Sequence, residues 1–433
     1  MRYELLPSTF FAKNRKRFAA AMKPNSIAIF KSSDMMPRTG DQYHLYRQNP
    51  DLYYFTGVDQ EETILLMYPD CVKERFREVL FVRRTDEHTA IWEGAKLTKP
   101  EAAALSGIDN IIWYDELNPT FNELVLLADN VYINCNENDR FVATVEYSDL
   151  RFAREMRERY PNHNYFRSAP IMKKLRTRKS EIEVQTIQHA CNITEKAFRR
   201  VLEFTQPNVW EFEIEAEITH EFIRNRATGH AYTPIIASGA NACVLHYITN
   251  DCICKDGDLI LLDFGAEYGN YAADLTRCIP ASGRFTKRQR EVYDAVLRVH
   301  REVTTMLVPG NTLEELNKEV GKLMESELIG LRLIDRHDVA HQNPDAPLYK
   351  KYFMHGNSHH LGLDVHDLMN RYDPFRAGNV FTNEPGIYIR EEGIGIRIEN
   401  DLLITDDGTV DLMKNIPIEA DEIETLMNAK IMA

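Results

Sequence analysis

The chain has 433 residues, 52 basic and 66 acidic, with a formal net charge of −14 and 44% hydrophobic residues. The length suggests two or three domains of roughly 100–200 residues each, and the composition excludes fibrous and disordered architectures. An acidic surface repels phosphate backbones and anionic lipid, so neither nucleic acid nor membrane is an expected partner, and no segment approaches the roughly 18 uninterrupted apolar residues of a membrane helix.

The opening segment MRYELLPSTFFAKNRKRFAAAM carries its basic run after a short apolar stretch, the reverse of a secretory signal. The cysteines, at Cys71, Cys135, Cys191, Cys243, Cys252, Cys254 and Cys278, are odd in number and scattered, which is not how a disulfide framework reads. A reducing, cytoplasmic setting is expected. The pair Cys252 and Cys254 forms an isolated C-x-C that reads as small apolar residues near a strand.

Over the first part of the chain, short β-type runs alternate with helical patterns. Strands are predicted at Ile27–Phe30, Thr63–Tyr68, Val79–Val82, Ile111–Tyr114 and Val131–Asn134, and helices at Thr120–Ala128 and Ser148–Arg159. This is a mixed α/β domain, taken as residues 1–172. A proline and the basic residues Lys173, Lys174, Arg176, Arg178 and Lys179 then precede a long amphipathic helix, opened by a capping box of Ser180 with Glu183. The basic run reads as a solvated linker at the boundary. Residues 173–433 add helices at Trp210–Asn225, Lys287–Leu307 and Leu313–Glu327, the last two opened by the capping boxes Thr286/Gln289 and Thr312/Glu315. Strands interleave with these helices, and the class is α/β (α+β).

Those later strands carry unusual polar residues. Asp263 ends the apolar strand Leu259–Leu262, where an ionised carboxylate is costly unless paired or metal-bound. Asp274 lies in a second strand, and Glu267, Tyr268, Gly269 and Asn270 supply turn chemistry between the two, so a hairpin is expected to bring the aspartates together. His355, His359 and His366 lie in HGNSHHLGLDVHD, where Gly356 and Asn357 argue against a helical H-x-x-x-H motif. His337 and His341 share that spacing but read as solvated loop residues. Glu384 is fixed in extended backbone by the following Pro385. Arg397 and Glu399 share one face of a strand; taken alone, they read as a surface ion pair worth about 0–1 kcal/mol. Four carboxylates converging on one point would repel strongly without cations. Two divalent ions would balance Asp263, Asp274, Glu384 and Glu399, with neutral His359 as a fifth ligand. Ligation dominated by oxygen and lacking cysteine points to Mn²⁺, with Co²⁺ or Zn²⁺ as alternatives.

The order Asp263, Asp274, His359, Glu384, Glu399, within LLDFGAEYGNYAADLTR, MHGNSHHLGLDVHD, NEPGIY and GIRIEND, resembles the dinuclear metallopeptidases of the pita-bread (creatinase/aminopeptidase) fold. These include methionine aminopeptidase, prolidase and aminopeptidase P. In the first half, YRQNPDLYYFTGV and IWEG resemble the N-terminal domain of aminopeptidase P, the Xaa-Pro aminopeptidases, so that group ranks ahead of prolidase. The resemblance covers nearly the whole chain and implies a pita-bread catalytic domain over 173–433. It also implies that Asp263 binds one of two metals, that Asp274 and Glu399 bridge both, and that His359 and Glu384 complete the second. His246, His355 and His366 are then expected to orient the substrate carbonyl, line the proline pocket and stabilise the tetrahedral intermediate. Arg397 would fix a ligand carboxylate and Tyr388 would stand behind the Glu384 turn.

The implied reaction removes the residue before proline from peptides with N-terminal Xaa-Pro, through a hydroxide bridging the two ions, with Glu384 carrying the proton. Asp41 and Trp92 are candidates for completing the substrate cleft, which in the family involves neighbouring subunits, so a homo-oligomer, dimer or tetramer, is expected. Trp92 reads equally as an ordinary core or interface aromatic. One departure is His360, where the family pattern has tryptophan; next to His359 on extended backbone it should point the other way, as a packing or surface residue.

Overall fold

The computed structural model describes residues 2–142 and 144–429. The chain forms two compact units, one of Leu5–Arg176 and one built from residues 2–4 and 177–429.

The first unit is a six-stranded sheet. Its strands are β1 (Ser26–Lys31), β4 (Ile64–Met67), β5 (Glu78–Val82), β6 (Ile111–Trp113), β7 (Asn130–Ile133) and β8 (Asn164–Arg167), in the order β6-β5-β4-β1-β7-β8. A small separate hairpin is made by β2 (Pro37–Thr39) and β3 (Gln42–Tyr43). β1 pairs antiparallel with β4 and parallel with β7, which makes the sheet mixed. Both faces are covered. Ile27 and Ile29 pack with Phe121, Leu124 and Phe152 from helices α5 (Leu117–Leu127) and α6 (Ser148–Arg159). On the other face, Phe30 meets Phe18 of helix α1 (Ser8–Ala19) and Phe55 of helix α2 (Pro50–Thr56) at centroid distances of 5.2 and 4.7 Å. Burial on both faces is why these strands read as continuous apolar runs.

The RQN segment has a local structural job. Asn49 caps α2, its side chain accepting from the amides of Asp51 (3.0 Å) and Leu52 (3.3 Å), and Pro50 takes the first helical position. Buried Gln48 donates to the carbonyls of Val58 (3.0 Å) and Gln60 (2.8 Å), closing the loop beyond the helix. The basic run is not a solvated linker. Within helix α7 (Ala169–Thr177), Arg176 is buried and pairs with Asp51 at 2.8 Å. In the second unit, Lys179 is buried against Asp367 at 2.8 Å. A charge pattern alone cannot show that its partners are distant in sequence.

In the second unit, two bent hairpins face each other. β11 (Leu259–Phe264) pairs with β14 (Leu275–Pro280), placing Asp263 opposite Thr276. The pair then bends and continues in another sheet as β12 (Ala266–Tyr268) and β13 (Tyr271–Ala272). The tip is Gly269–Asn270, with φ of 58° and 66°, the two left-handed residues of a tight hairpin turn. The second hairpin repeats the plan: β15 (Val380–Asn383) pairs with β18 (Asn400–Thr405), and β16 (Gly386–Ile389) with β17 (Ile394–Arg397). Its break falls at Glu384–Pro385 and Ile398–Glu399, and the two hairpins join where Thr276 bridges to Glu399. The four carboxylates therefore sit at or beside the places where ladder pairing is interrupted.

Helix α8 (Glu181–Phe204) runs along the first hairpin. Its capping box is present, and buried Glu183 also accepts from the Tyr271 hydroxyl at 3.1 Å. Farther on, Thr194 Oγ1 accepts from the Ala266 amide at 3.1 Å. Helices α9 (Glu211–Arg224), α10 (Lys287–Met306) and α11 (Leu313–Gly330) follow. Thr286 opens α10 with a full capping box, whereas the Thr312 amide bonds Asn311 instead of Glu315. His337 and His341 are exposed, as expected; His337 lies on the short helix α12 (Arg336–Ala340), whereas His341 is in the turn just after it.

The bend of the first hairpin depends on one glycine. A Cβ at Gly265 would lie 1.7 Å from the carbonyl oxygen of Ala273 across the hairpin. Gly265→Ala should therefore destabilise the protein by about 3 kcal/mol or more, read as a fall in the urea midpoint; an unchanged midpoint would show that the bend tolerates a side chain.

Candidate metal centre

Asp263 and Asp274 share one face of the first hairpin, and Tyr232 Oη lies 2.6 Å from Asp263 Oδ1 and 2.5 Å from Asp274 Oδ1. A phenol has one proton, so it donates to one carboxylate at a time. Asp274, His359 and Glu399 are all buried and offer atoms within 4.8 Å of one another. His359 Nε2 stands 3.4 Å from Asp274 Oδ2 and 3.7 Å from Glu384 Oε1. The structure thus gathers the five residues of the sequence-predicted ligand set.

Their surroundings explain their orientations. His359 lies next to β15: its amide donates to Thr382 Oγ1 (3.2 Å) and its carbonyl accepts from the Thr382 amide (2.9 Å). Its Nδ1 faces the His360 carbonyl at 3.1 Å. A carbonyl only accepts, so Nδ1 carries the hydrogen, and Nε2 is the nitrogen turned toward the carboxylates. Neutral imidazole in that tautomer has its lone pair where a cation between the carboxylates would meet it. Glu399 Oε2 accepts from Thr276 Oγ1 at 2.6 Å. The Asp274 amide donates to buried Asp401 at 3.0 Å, and Asp401 also accepts from the Cys191 thiol at 3.4 Å.

The electrostatics of the ion-free site are those of crowded acids. Burial, then the charges of Asp274, Glu384 and Asp263, push the Glu399 carboxyl well above its usual value. Burial pushes Glu384 up to about 7. Burial also raises Asp263, with Arg397 pulling it down and Asp274 pushing it up. Burial opposes protonation of His359, but Asp274 and Glu384 outweigh it and its pKa is raised. Without cations the cluster holds protons; divalent ions would replace them, so the donor set fits a metal centre.

Arg397 is no surface partner of Glu399. It is buried, its guanidinium pairs with Asp263, and it donates to Thr276 Oγ1 (3.0 Å) and Tyr388 Oη (2.9 Å). Accepting from Arg397, the Tyr388 hydroxyl can donate to His355 Nε2 at 2.8 Å, while His355 Nδ1 donates to the Gly356 carbonyl at 2.8 Å. Both His355 nitrogens are thus engaged, with Nδ1 also 3.9 Å from Glu384 Oε2. Burial first, then Arg397, lowers its pKa to about 3, so the ring is neutral. His366 is half-buried and meets His359 edge to face at a centroid distance of 4.4 Å. His246 is exposed. His360 points away as expected, into the interior, where its ring packs at a tilt on Phe381 with centroids 4.1 Å apart and is 2% exposed.

Asp41 and Trp92 belong to the other unit. Asp41 is exposed at the β2–β3 turn, accepting from Gln42 at 3.0 Å. Trp92 is 75% exposed and stacks on His88, which rules out a core role within the chain.

Sequence reasoning missed Tyr232, Thr276, Asp401 and Lys179. Thr276 and Asp401 lie two residues after Asp274 and Glu399, so period-two alternation was a usable signal for both. Tyr232 follows a two-residue strand, β9 (Gly229–His230), and no periodicity marks it.

Clustered carboxylates and one histidine, built where two hairpins break, have the donor set of a metal-dependent enzyme. The chain belongs to metallopeptidase family M24, which matches residues 185–406, and residues 11–132 match the aminopeptidase P N-terminal domain. It is 35% identical to Xaa-Pro aminopeptidase of Escherichia coli K12, over 97% of each chain. It is 30% identical to human Xaa-Pro aminopeptidase 3, over 90% of this chain and 78% of that protein. Among solved structures, aminopeptidase PepP of Pseudomonas aeruginosa superposes with a TM-score of 0.89 at 31% identity, covering 99% of this chain and 100% of that one. An Escherichia coli aminopeptidase P variant in complex with substrate gives 0.87 at 32% identity, covering 99% and 100%. Among the described residues no helix is long and apolar enough to cross a membrane.

The raised carboxyl values set a pH test. Glu384 and Glu399 bind protons more tightly folded than unfolded, so their contribution to the ion-free protein is full below the unfolded carboxyl value. It is lost as pH rises through the folded value, about 7 for Glu384. The rise in Tm on adding a divalent cation should accordingly be larger at pH 8 than at pH 5.5; an equal rise would mean that cation binding does not displace these protons.

Proposed function

We propose that the chain is a metal-dependent Xaa-Pro aminopeptidase, removing the first residue of peptides with proline second. The observation that carries this reading is the convergence of Asp263, Asp274, His359, Glu384 and Glu399, in a chain matched over nearly its full length by Xaa-Pro aminopeptidases. Those five residues would hold two divalent ions, Mn²⁺ first among the candidates, with Co²⁺ and Zn²⁺ behind it. Bound there, the ions supply Lewis acidity, polarising the scissile carbonyl and making hydroxide available near neutral pH.

The chain's own residues do the rest. Glu384 takes the proton of the attacking water and returns it to the proline nitrogen, which must be protonated to leave. Arg397, paired with Asp263, fixes that carboxylate. Through Tyr388, Arg397 also fixes the neutral His355 ring beside Glu384. With both nitrogens engaged, His355 acts by holding the Tyr388 hydroxyl in place. His246 and His366 meet the substrate: His366, against His359, stabilises the developing oxyanion, and exposed His246 orients the peptide. Asp41 and exposed Trp92 complete the substrate cleft in a homo-oligomer, in a cytoplasmic setting.

Chelated protein should lose hydrolysis of an Xaa-Pro-Yaa peptide and regain it with Mn²⁺; full activity without metal would reject the mechanism. Asp274→Asn should abolish turnover, by about 10³-fold or more, with the far-UV spectrum unchanged. Turnover of Xaa-Pro-Yaa should exceed that of the dipeptide Xaa-Pro, and the opposite preference would make the enzyme a dipeptidase.

A further inference from the structure

Outside the metal centre, the carboxylate of Glu211, in the first turn of α9, is surrounded by protein hydrogen-bond donors. Glu211 is fully buried. Its Oε1 accepts from the amide (2.7 Å) and hydroxyl (2.7 Å) of Ser238 and from Asn241 Nδ2 (3.3 Å). Its Oε2 accepts from the Tyr247 hydroxyl (2.7 Å) and the Cys252 amide (2.9 Å). A carboxylate has about four acceptor sites, so this one is saturated. The helix N-terminus adds positive potential at the same point.

All these donors come from the end of strand β10 (Ile235–Ser238) and the loop that joins it to β11. The Glu211 amide also donates to the Cys252 carbonyl at 2.9 Å, so residue 252 is held in both directions. One helical turn on, Glu215 accepts from buried Asn250 at 2.8 Å, and Asn250 Oδ1 accepts from the Ile236 amide at 3.0 Å. The loop is fastened at both ends to one face of α9. His246 lies between the donors Asn241 and Tyr247 in the loop and is exposed. Glu211, Asp251 and Cys252 also bring potential ligand atoms within 4.8 Å. Because the Glu211 oxygens already accept from protein N–H and O–H groups, the cluster reads as a hydrogen-bond clasp and not as a second cation site.

We propose that Glu211 is a positioning residue for peptide hydrolysis, clasping the 239–252 loop so that His246 is presented at the cleavage site. The inference rests on the reading of His246 as a substrate-contacting group. A carboxylate is required because nearly all the surrounding groups are donors. An amide would aim its own N–H groups at them, and the Cys252 amide could not adapt by accepting.

The test is a double-mutant cycle on the metal-loaded enzyme, using E211Q, H246A and the double variant, with kcat, KM, bound metal per chain and loop amide exchange as readouts. E211Q should lower kcat/KM by about 10- to 100-fold with metal content unchanged and exchange over residues 241–252 accelerated. In the H246A background the same change should cost less than about 2-fold. Losses that multiply, or an E211Q enzyme with wild-type kcat/KM, would overturn the proposal. If H246A has wild-type activity the proposal also falls, through the assignment of His246, while the exchange data still report whether the clasp exists. Should E211Q fail to fold, Y247F removes one donor and should give a smaller loss that likewise vanishes with H246A; a loss that persists there would overturn it.

Discussion

Mutual repulsion among Asp263, Asp274, Glu384 and Glu399 is the constraint to which the second unit is built. Burial first, and then the neighbouring acidic charges, raise the affinity of Asp263, Glu384 and Glu399 for protons. A fold that forces such groups together must compensate elsewhere or bind cations. Arg397 supplies one fixed positive charge, Tyr232 and Thr276 supply hydroxyl hydrogens, and the Nδ1–H tautomer of His359 turns its lone pair to the cluster. These groups orient the acids without neutralising all of them. The remaining deficit is what gives the site its demand for divalent ions.

The scaffold meets that demand with backbone geometry. At each hairpin bend, ladder pairing stops in one sheet and resumes in another, and it is at or next to these interruptions that the acids lie. Gly265 allows the first bend because only a residue without Cβ can come so close to Ala273. Helix α8 holds the same hairpin through Glu183 and Thr194, and Cys191 reaches Asp401, which accepts from the Asp274 amide. Lys179, just before α8, is buried on Asp367, beside His366. The groups around the reacting centre are therefore anchored to long helices, which favours a rigid arrangement of ligands.

Much of this was legible in the sequence, for identifiable reasons. Strands buried on both faces, such as β1 and β4, are apolar runs bounded by turns, and the long helices carry capping boxes at Ser180 and Thr286. The hairpin between Asp263 and Asp274 was legible because Gly269–Asn270 is a turn pair and the acids keep strand spacing. Less legible were charges whose partners lie far away in the chain. Arg176 and Lys179 read as solvent-exposed, because spacing reports faces and not what faces them; the Arg397 spacing alone suggested a surface pair with Glu399, and its pairing with Asp263 agrees with the carboxylate-fixing role the resemblance implied. His360 points away from His359 as expected, and of the two readings, packing or surface, the structure selects packing.

By itself the sequence indicated many of the strands and the long capped helices and singled out residues whose chemistry suits metal ligation, because those depend on local periodicity, turn residues and charge. Only the tertiary structure decided which groups orient those residues. Tyr232 between two aspartates, the Arg397–Tyr388–His355 chain and the five donors around Glu211 join positions separated by many residues, and a hydrogen bond of that kind is fixed by the packing of whole elements and not by any local pattern in the chain.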